Sequence, residues 1–532
     1  MRALPLSLLV LLAAPALAQT TWHVDASAAG PGTGSAQDPF PSIQTAIAQP
    51  ATLDGDTVLV HPGTYTELVD LLDKQLVLRS SGGAALTTID VSTQFSIEQS
   101  AVKIRGGQGP ACRLEGFTLV GGDGTFLTEP VQGLQFFAGG GLLLVDVSPT
   151  IAGCVVRDCS PDVGAGAFVI GGQPVFEDCE FHDNLSTRYG AGLHASLSQV
   201  TLREVSVHDN QTFAGDGGGV HLFGGSLTIE GGTLAYNQAW SGGSGGNLAL
   251  RYGATALVTD ATLAHGFTLD GNGGGAWVEG SSASFAGCTF DSNTAGDVFS
   301  NREGGAIHVD QGGLELASCK LQGNYSARGG AIFLQGATAS IEGSQFLANH
   351  CESGLNFFHA DGGALAASGS SAWIYKTIFS GNLAECSSPD WNGTIARGGA
   401  LWTDTPGVQV SHCAFMGNEA WYDADIVPGP VKLEPGAQGG AIFGPVWVMR
   451  SRILGNRAWA NPAKLHVYAQ GGGAWGATIL GSLLQANEVD GVGSQPDVGP
   501  AAEACALTCC VLIGNLPATL PPLGPLCTSS CP

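Results

Sequence analysis

The sequence predicts an all-β solenoid, in which short parallel strands wind into coils that stack along one axis. Three observations carry the prediction. A unit with a period in the mid-twenties recurs from about residue 160 onward. Within each unit apolar residues alternate two apart, as on one face of a strand, and not three and four apart as on a helix. Glycine is in excess, 81 of 532 residues, without the strict triplet of collagen.

The unit is clearest in four copies. They run Gly304-Gly305-Ala306-Ile307 to Leu321-Gln322-Gly323-Asn324, Gly329-Gly330-Ala331-Ile332 to Phe346-Leu347-Ala348-Asn349, Gly362-Gly363-Ala364-Leu365 to Phe379-Ser380-Gly381-Asn382, and Gly398-Gly399-Ala400-Leu401 to Phe415-Met416-Gly417-Asn418. From second glycine to asparagine the count is 19 in all four. Asparagine closes further units at Asn184, Asn210, Asn237, Asn293, Asn456 and Asn487. One coil cannot bury its own apolar face, so like-numbered positions must stack at about 4.8 Å per coil. The glycine pair marks a corner that needs φ > 0 or close backbone approach. The asparagine is expected at a second bend, its amides hydrogen-bonded along the axis.

Before the repeat, Arg2, the apolar run Leu6 to Ala14 and Ala16-Leu17-Ala18 form a signal peptide over 1–18, so an exported, secreted or cell-surface protein is expected. The organisation that follows is an opening cap with the first coils over 19–100, repeats over 101–500, and a last coil with a Cys-rich cap over 501–532. Ile43, Ala46 and Ile47 after Ser42, closed by Pro50, predict a short amphipathic helix that covers the first coil. Cys505, Cys509, Cys527 and Cys531 are expected to staple the far end by disulfides, with three pairings open. Cys179, Cys288, Cys319, Cys413 and Cys510 share one inward column of small residues, and Cys288 and Cys319 are expected as free thiols. Cys351 and Cys386, in neighbouring loops, are expected to form a disulfide.

The GGA[ILV] … FxxN unit resembles the repeat of the polymorphic outer-membrane proteins, within the pectin-lyase-like superfamily of right-handed parallel β-helices. The opening segment, Trp22-His23-Val24-Asp25 through Pro62-Gly63-Thr64-Tyr65, is similar to the first module of many secreted β-helix proteins. The resemblance implies a right-handed single-stranded parallel β-helix and says little about activity. Nothing after Asn487 looks like an autotransporter's membrane barrel, and no segment is long enough for a membrane-spanning helix.

Charge narrows the function. With 20 Lys and Arg against 45 Asp and Glu, the net charge is −25. So few cations argue against nucleic acid as a partner and against an anionic membrane surface. No zinc spacing, GxSxG, HExxH or phosphate loop is present. Two features remain as candidate binding surfaces. One is the outward column 16 residues before the asparagine, which reads Phe168, His194, His221, Leu250, Trp277, His308, Phe333, Ala366 and Trp402. It would form a flat aromatic–imidazole stripe on which sugars stack.

The other is the loop edge between each asparagine and the next glycine pair, where all length variation lies: four residues after Asn324, twelve after Asn349, fifteen after Asn382 and twenty after Asn418. These loops carry Phe357, Phe358, His359, Asp361, Trp391, Trp421, Tyr422, Asp423, Asp425, Trp459 and Tyr468. Aromatics beside carboxylates suit a saccharide, with or without calcium; no other cofactor is required. The expectation is a non-catalytic surface protein that binds an extracellular polysaccharide or a surface protein through its C-terminal loop edge. The alternative is a polysaccharide lyase or glycoside hydrolase on the same scaffold. His182-Asp183 and His208-Asp209 are the one His/Asp arrangement on successive coils, and no catalytic residue is assigned.

Overall fold

The computed structural model describes residues 19–94, 96–128, 135–296, 302–353, 359–387, 395–423, 434–460, 467–490, 502–503, 506–508 and 510–513. The signal peptide, Phe357, Phe358, Trp391, Asp425 and the four C-terminal cysteines Cys505, Cys509, Cys527 and Cys531 lie outside them.

Each coil spends its residues in the same order. In one of them, Ile307–Asp310 and Gly313–Ala317 form two strands, Lys320–Gln322 a third, and Tyr325–Ser326 a short fourth. Like strands of successive coils pair in parallel. The third strands build a 16-stranded sheet from Gly63–Tyr65 to Val511–Ile513, the fourth an 11-stranded sheet, and the first and second together a 30-stranded one. Ile307 pairs in register with Ile332, and Ile332 with Leu365, so like positions do form files along the axis. The main hydrophobic core runs through the coils, from Val24 to Cys510. Its spine is the apolar residue three before each asparagine, and in three successive coils Phe346, Phe379 and Phe415 stack there with centroids 4.7 Å apart.

The corners follow from backbone sterics. The first glycine of each pair is left-handed, φ 68° at Gly304 and 61° at Gly329. The second tolerates no side chain, because a Cβ on Gly305 would stand 2.3 Å from the Gly330 carbonyl oxygen. The bend expected at the asparagine falls one residue earlier, on Asp183, Asp209, Tyr236, Ser292 and Ala348, all at φ 50–56°. A further left-handed corner separates second and third strands at Asp178, Glu204, Asp260, Lys376, His412 and Arg450. The asparagine itself turns inward and is buried. Asn324 Nδ2 donates to Asn349 Oδ1 at 2.9 Å and to the Phe290 carbonyl at 3.2 Å, while its backbone N–H also donates to Asn349 Oδ1. The same pattern runs on through Asn382, Asn418, Asn456 and Asn487.

The helix forms as Ile43–Ala48, with Ser42 Oγ accepting from Thr45 N–H and with Ile43, Ala46 and Ile47 buried. Glu67 accepts from the N–H groups of Ile43 and Gln44. An antiparallel sheet of Glu98–Gln99, Gly124–Thr128 and Gln135–Ala138 departs from the solenoid pattern.

Cys288 and Cys319 are buried and unbridged, as expected. Each thiol donates to a carbonyl of the coil before it, Val258 and Phe285 respectively. The Cys351–Cys386 disulfide does not form. Cys351 pairs in register with Ala384, and Cys386 with Ser353, so the two stand diagonally across adjacent strands. Diagonal neighbours lie about 7–8 Å apart, beyond a disulfide's reach.

Candidate functional site

The aromatic–imidazole column exists as a file on the outward face of the first strands. Phe168, His194 and His221 stack at 5.3 and 4.9 Å, His308 on Phe333 at 5.4 Å, and Phe443 on Trp475 at 4.7 Å. One member is corrected. Ala249, not Leu250, pairs between His221 and Trp277, because this coil has one extra residue between its first and second strands; Leu250 points into the core.

The file is also not an open sugar platform. His194, His221, His308 and Trp402 are buried, and Trp277 is half-buried. What covers them is a second file, formed by the residue just before each corner glycine and missed in the sequence. Around its C-terminal half it alternates in charge: Glu303, Arg328, Asp361, Arg397. Arg328 bonds Glu303 at 2.9 Å and Asp361 at 3.0 Å, and Arg397 grips Asp361 through Nε and Nη2 at 2.6 and 2.9 Å. Where the aromatic file holds only Ala366, the Arg328 guanidinium fills the gap, 4.8 Å from the Phe333 ring and 5.1 Å from that of Trp402. Arg251 repeats the device beside Ala249, 5.0 Å over Trp277 and paired with Asp216 and Glu279. Asp361, a candidate ligand-binding residue, is 1% exposed with both oxygens committed to arginines. Burial raises the carboxyls of Glu303 and Asp216, opposed by Arg328 and Arg251.

On the loop edge, the fourth strands bring two of the expected residues together. Trp421 pairs with Trp459, ring centroids 4.4 Å apart, and the file continues to Glu385 on one side and Asp490 on the other. Both tryptophans are half-buried. Tyr422 is turned the other way, buried with Cys386, Ala396 and Ala420, and Asp423 is half-buried beside it. His359 Nδ1 accepts from the Ile395 N–H at 3.0 Å, a structural role. Tyr468 lies in the strand Val467–Gln470. His182 and His208 stack at 5.2 Å, each bonded to the aspartate of its own corner.

A third surface was not foreseen. The outward residues of the second strands form two files, Thr255, Ser282, Gly313, Thr338, Ser371 and Leu257, Ser284, Glu315, Ser340, Trp373, Gln409, Trp447. Between them runs a groove of about 730 Å³ along the axis. Its floor is small and hydroxylated, and Glu315 is the one carboxylate among its lining residues. At its C-terminal end Trp373 is 43% exposed, and two coils on, Trp447 is 46% exposed. The sequence signal for this surface is a pair of tryptophans, Trp373 and Trp447, at strand positions whose neighbours point inward.

Among the described residues no group of three or more His, Cys, Asp or Glu could hold a metal ion, and no helix is long and apolar enough to cross a membrane.

The family model for the right-handed β-helix region matches residues 140–305. The parallel sheets of that segment fit this description. Its parallel sheets continue on either side of the matched residues. A cell surface glycoprotein of Methanothermus fervidus is 36% identical over 94 residues, which is 18% of this chain and 14% of the relative. The chain thus covers a small part of that relative's length.

Proposed function

We propose that this β-helix is an exported cell-surface or extracellular protein that holds an extended glycan in the groove of its second strands without cleaving it. The observation that carries the reading is the pairing of two exposed tryptophans, Trp373 and Trp447, with a floor of Ser and Thr hydroxyls. The tryptophan faces stack on sugar rings, the hydroxyls and Gln409 exchange hydrogen bonds with sugar hydroxyls, and small side chains let the polymer lie close. Two coils separate the rings by about 9.6 Å, so one extended chain along the axis meets both. Hydrolysis of a glycosidic bond by the usual route needs two facing carboxylates, and the groove lining offers one. The likeness to a cell surface glycoprotein supports a surface location, and the GGA[ILV] … FxxN unit keeps its likeness to the outer-membrane repeat.

The Trp421–Trp459 pair between Glu385 and Asp490 favours a second contact on the loop edge, as the sequence suggested. A panel of neutral and acidic polysaccharides separates these readings. Binding reduced at least tenfold by Trp373→Ala with Trp447→Ala supports the groove. Loss on Trp421→Ala with Trp459→Ala instead assigns the loop edge. Release of reducing ends or of unsaturated, ultraviolet-absorbing products would overturn binding without cleavage and leave the lyase or hydrolase alternative.

A further inference from the structure

The N-terminal end of the aromatic file carries a feature that neither glycan surface uses. The strand Gln135–Ala138 of the antiparallel sheet places Phe136 over Phe168, 5.9 Å between centroids. With Tyr189, Phe223 and Tyr252 from the following coils, these rings wall a pocket of about 210 Å³. An engineered apolar cavity of about 150 Å³ takes up benzene, so this one has room for a single ring and one substituent.

Its polar groups are few and specific. His194 and His221 line the pocket and share one proton between Nδ1 atoms 2.9 Å apart. His221 is 1% exposed, and its Nε2 is buried without a hydrogen-bond partner. If His194 is the Nδ1 donor, neutral His221 must carry its own proton on Nε2, which makes that atom a donor with nothing to bond. Two arginines complete the lining. Arg251 is balanced by Asp216 and Glu279, whereas Arg188 has no carboxylate within ion-pair distance among the described residues.

We propose that this pocket binds a small planar aromatic acid, one ring bearing one carboxylate. The ring stacks among Phe136, Phe168, Tyr189, Phe223 and Tyr252. The carboxylate takes the idle charge of Arg188, a charge-assisted bond, and accepts a second bond from His221 Nε2, which is a donor in the tautomer where His194 holds the shared proton. A monosaccharide is the wrong occupant, because its ring of hydroxyls would find too few partners here. The site stands apart from the groove and does not depend on the glycan reading.

Titration of the whole protein, followed by saturation-transfer NMR, tests it with benzoate, benzyl alcohol and glucuronate as probes. Benzoate is expected to bind saturably, benzyl alcohol at least tenfold more weakly, and glucuronate not at all. Arg188→Ala, at a half-exposed position that the core does not need, is expected to weaken benzoate at least tenfold and leave benzyl alcohol unchanged. His221→Phe is expected to weaken benzoate too, with circular dichroism reporting whether the coil survives. No benzoate binding at millimolar concentration, glucuronate binding as well as benzoate, or an Arg188→Ala variant that binds benzoate like the parent would each overturn the assignment.

Discussion

The asparagine file shows how one residue type can carry a solenoid. A buried carboxamide has two donors and an acceptor to satisfy, and a neighbour 4.8 Å away along the axis satisfies them repeatedly. In the coil where the asparagine position is Gly266, the file is continued by Asn247, which stands where neighbouring coils have Gly219 and Gly275. Asn237 Nδ2 donates to Asn247 Oδ1 at 2.9 Å, and Asn247 Nδ2 donates to Asn293 Oδ1 at 3.1 Å. Gly266 is bare because a Cβ there would meet Asn247 Nδ2 at 2.6 Å. Asn247→Ala strands the Asn237 N–H and the Ala264 carbonyl. At 1–3 kcal/mol for each buried unsatisfied group, the variant should lose about 3 kcal/mol, read as a lowered urea midpoint. The buried imidazoles give the molecule an acid limit. Burial holds His194 at about 3 and His308 at about 4; burial, then the His194 charge, presses His221 well below the ordinary range. Unfolded, each titrates near 6.5. Below that pH the unfolded chain takes up protons the native state refuses, so stability falls as pH drops from about 6.5 toward 4 and is flat above. Each imidazole contributes about 1.4 kcal/mol per pH unit, or about 2 kcal/mol by pH 5. Replacing one of them, His308→Phe, as its stacking partner Phe333 suggests, should raise the unfolding free energy at pH 5 relative to pH 7.5 by that amount, read from urea unfolding at the two pH values.

At the scale of the coil, the energetic weight lies where outward and pre-glycine files meet. Asp361 is held between Arg328 and Arg397 out of solvent, so Asp361→Ala leaves Arg397 without its carboxylate and Arg328 with Glu303 alone, both half-buried against Phe333, Trp402 and Phe443. Removing one member of such a network costs about 3–5 kcal/mol, and thermal unfolding should register it, whereas a catalytic or ligand-binding carboxylate would be removable without that cost. The strands and corners were legible in the sequence because period two and the glycine pair are local signals. Whether an outward residue meets water was not, because that depends on what lies over it. Trp402 and Trp373 both point outward from their strands, yet Arg328 and Arg397 cover the first while the second, stacked against Tyr375, stays 43% exposed. The position of the left-handed bend was also misplaced by one residue, since Asn tolerates that conformation and nothing local shows that its side chain is needed inside. The Trp421–Trp459 pairing was partly legible, its residues named but not their register.

For the molecule as a whole, stacking order governs cooperativity. The main core is one continuous cluster, but each coil touches mainly the coils on either side, so its stability is a sum of coil terms and nearest-neighbour interfaces. Phe379 belongs to that spine, stacked on Phe346 below and Phe415 above, and is fully buried. Phe379→Ala removes both ring contacts and leaves a cavity that rigid neighbouring backbones cannot close, at a cost of about 3–5 kcal/mol. In a globular domain such a loss would lower protection everywhere, since the domain opens as one unit. Here it should be local. Amide hydrogen exchange is expected to quicken in the strands around Phe346, Phe379 and Phe415, while those around Leu59 and Arg79, many coils away along the same core, keep the protection of the parent protein. A uniform loss of protection along the chain would mean that the solenoid unfolds as a single unit and that coil-by-coil bookkeeping does not apply to it.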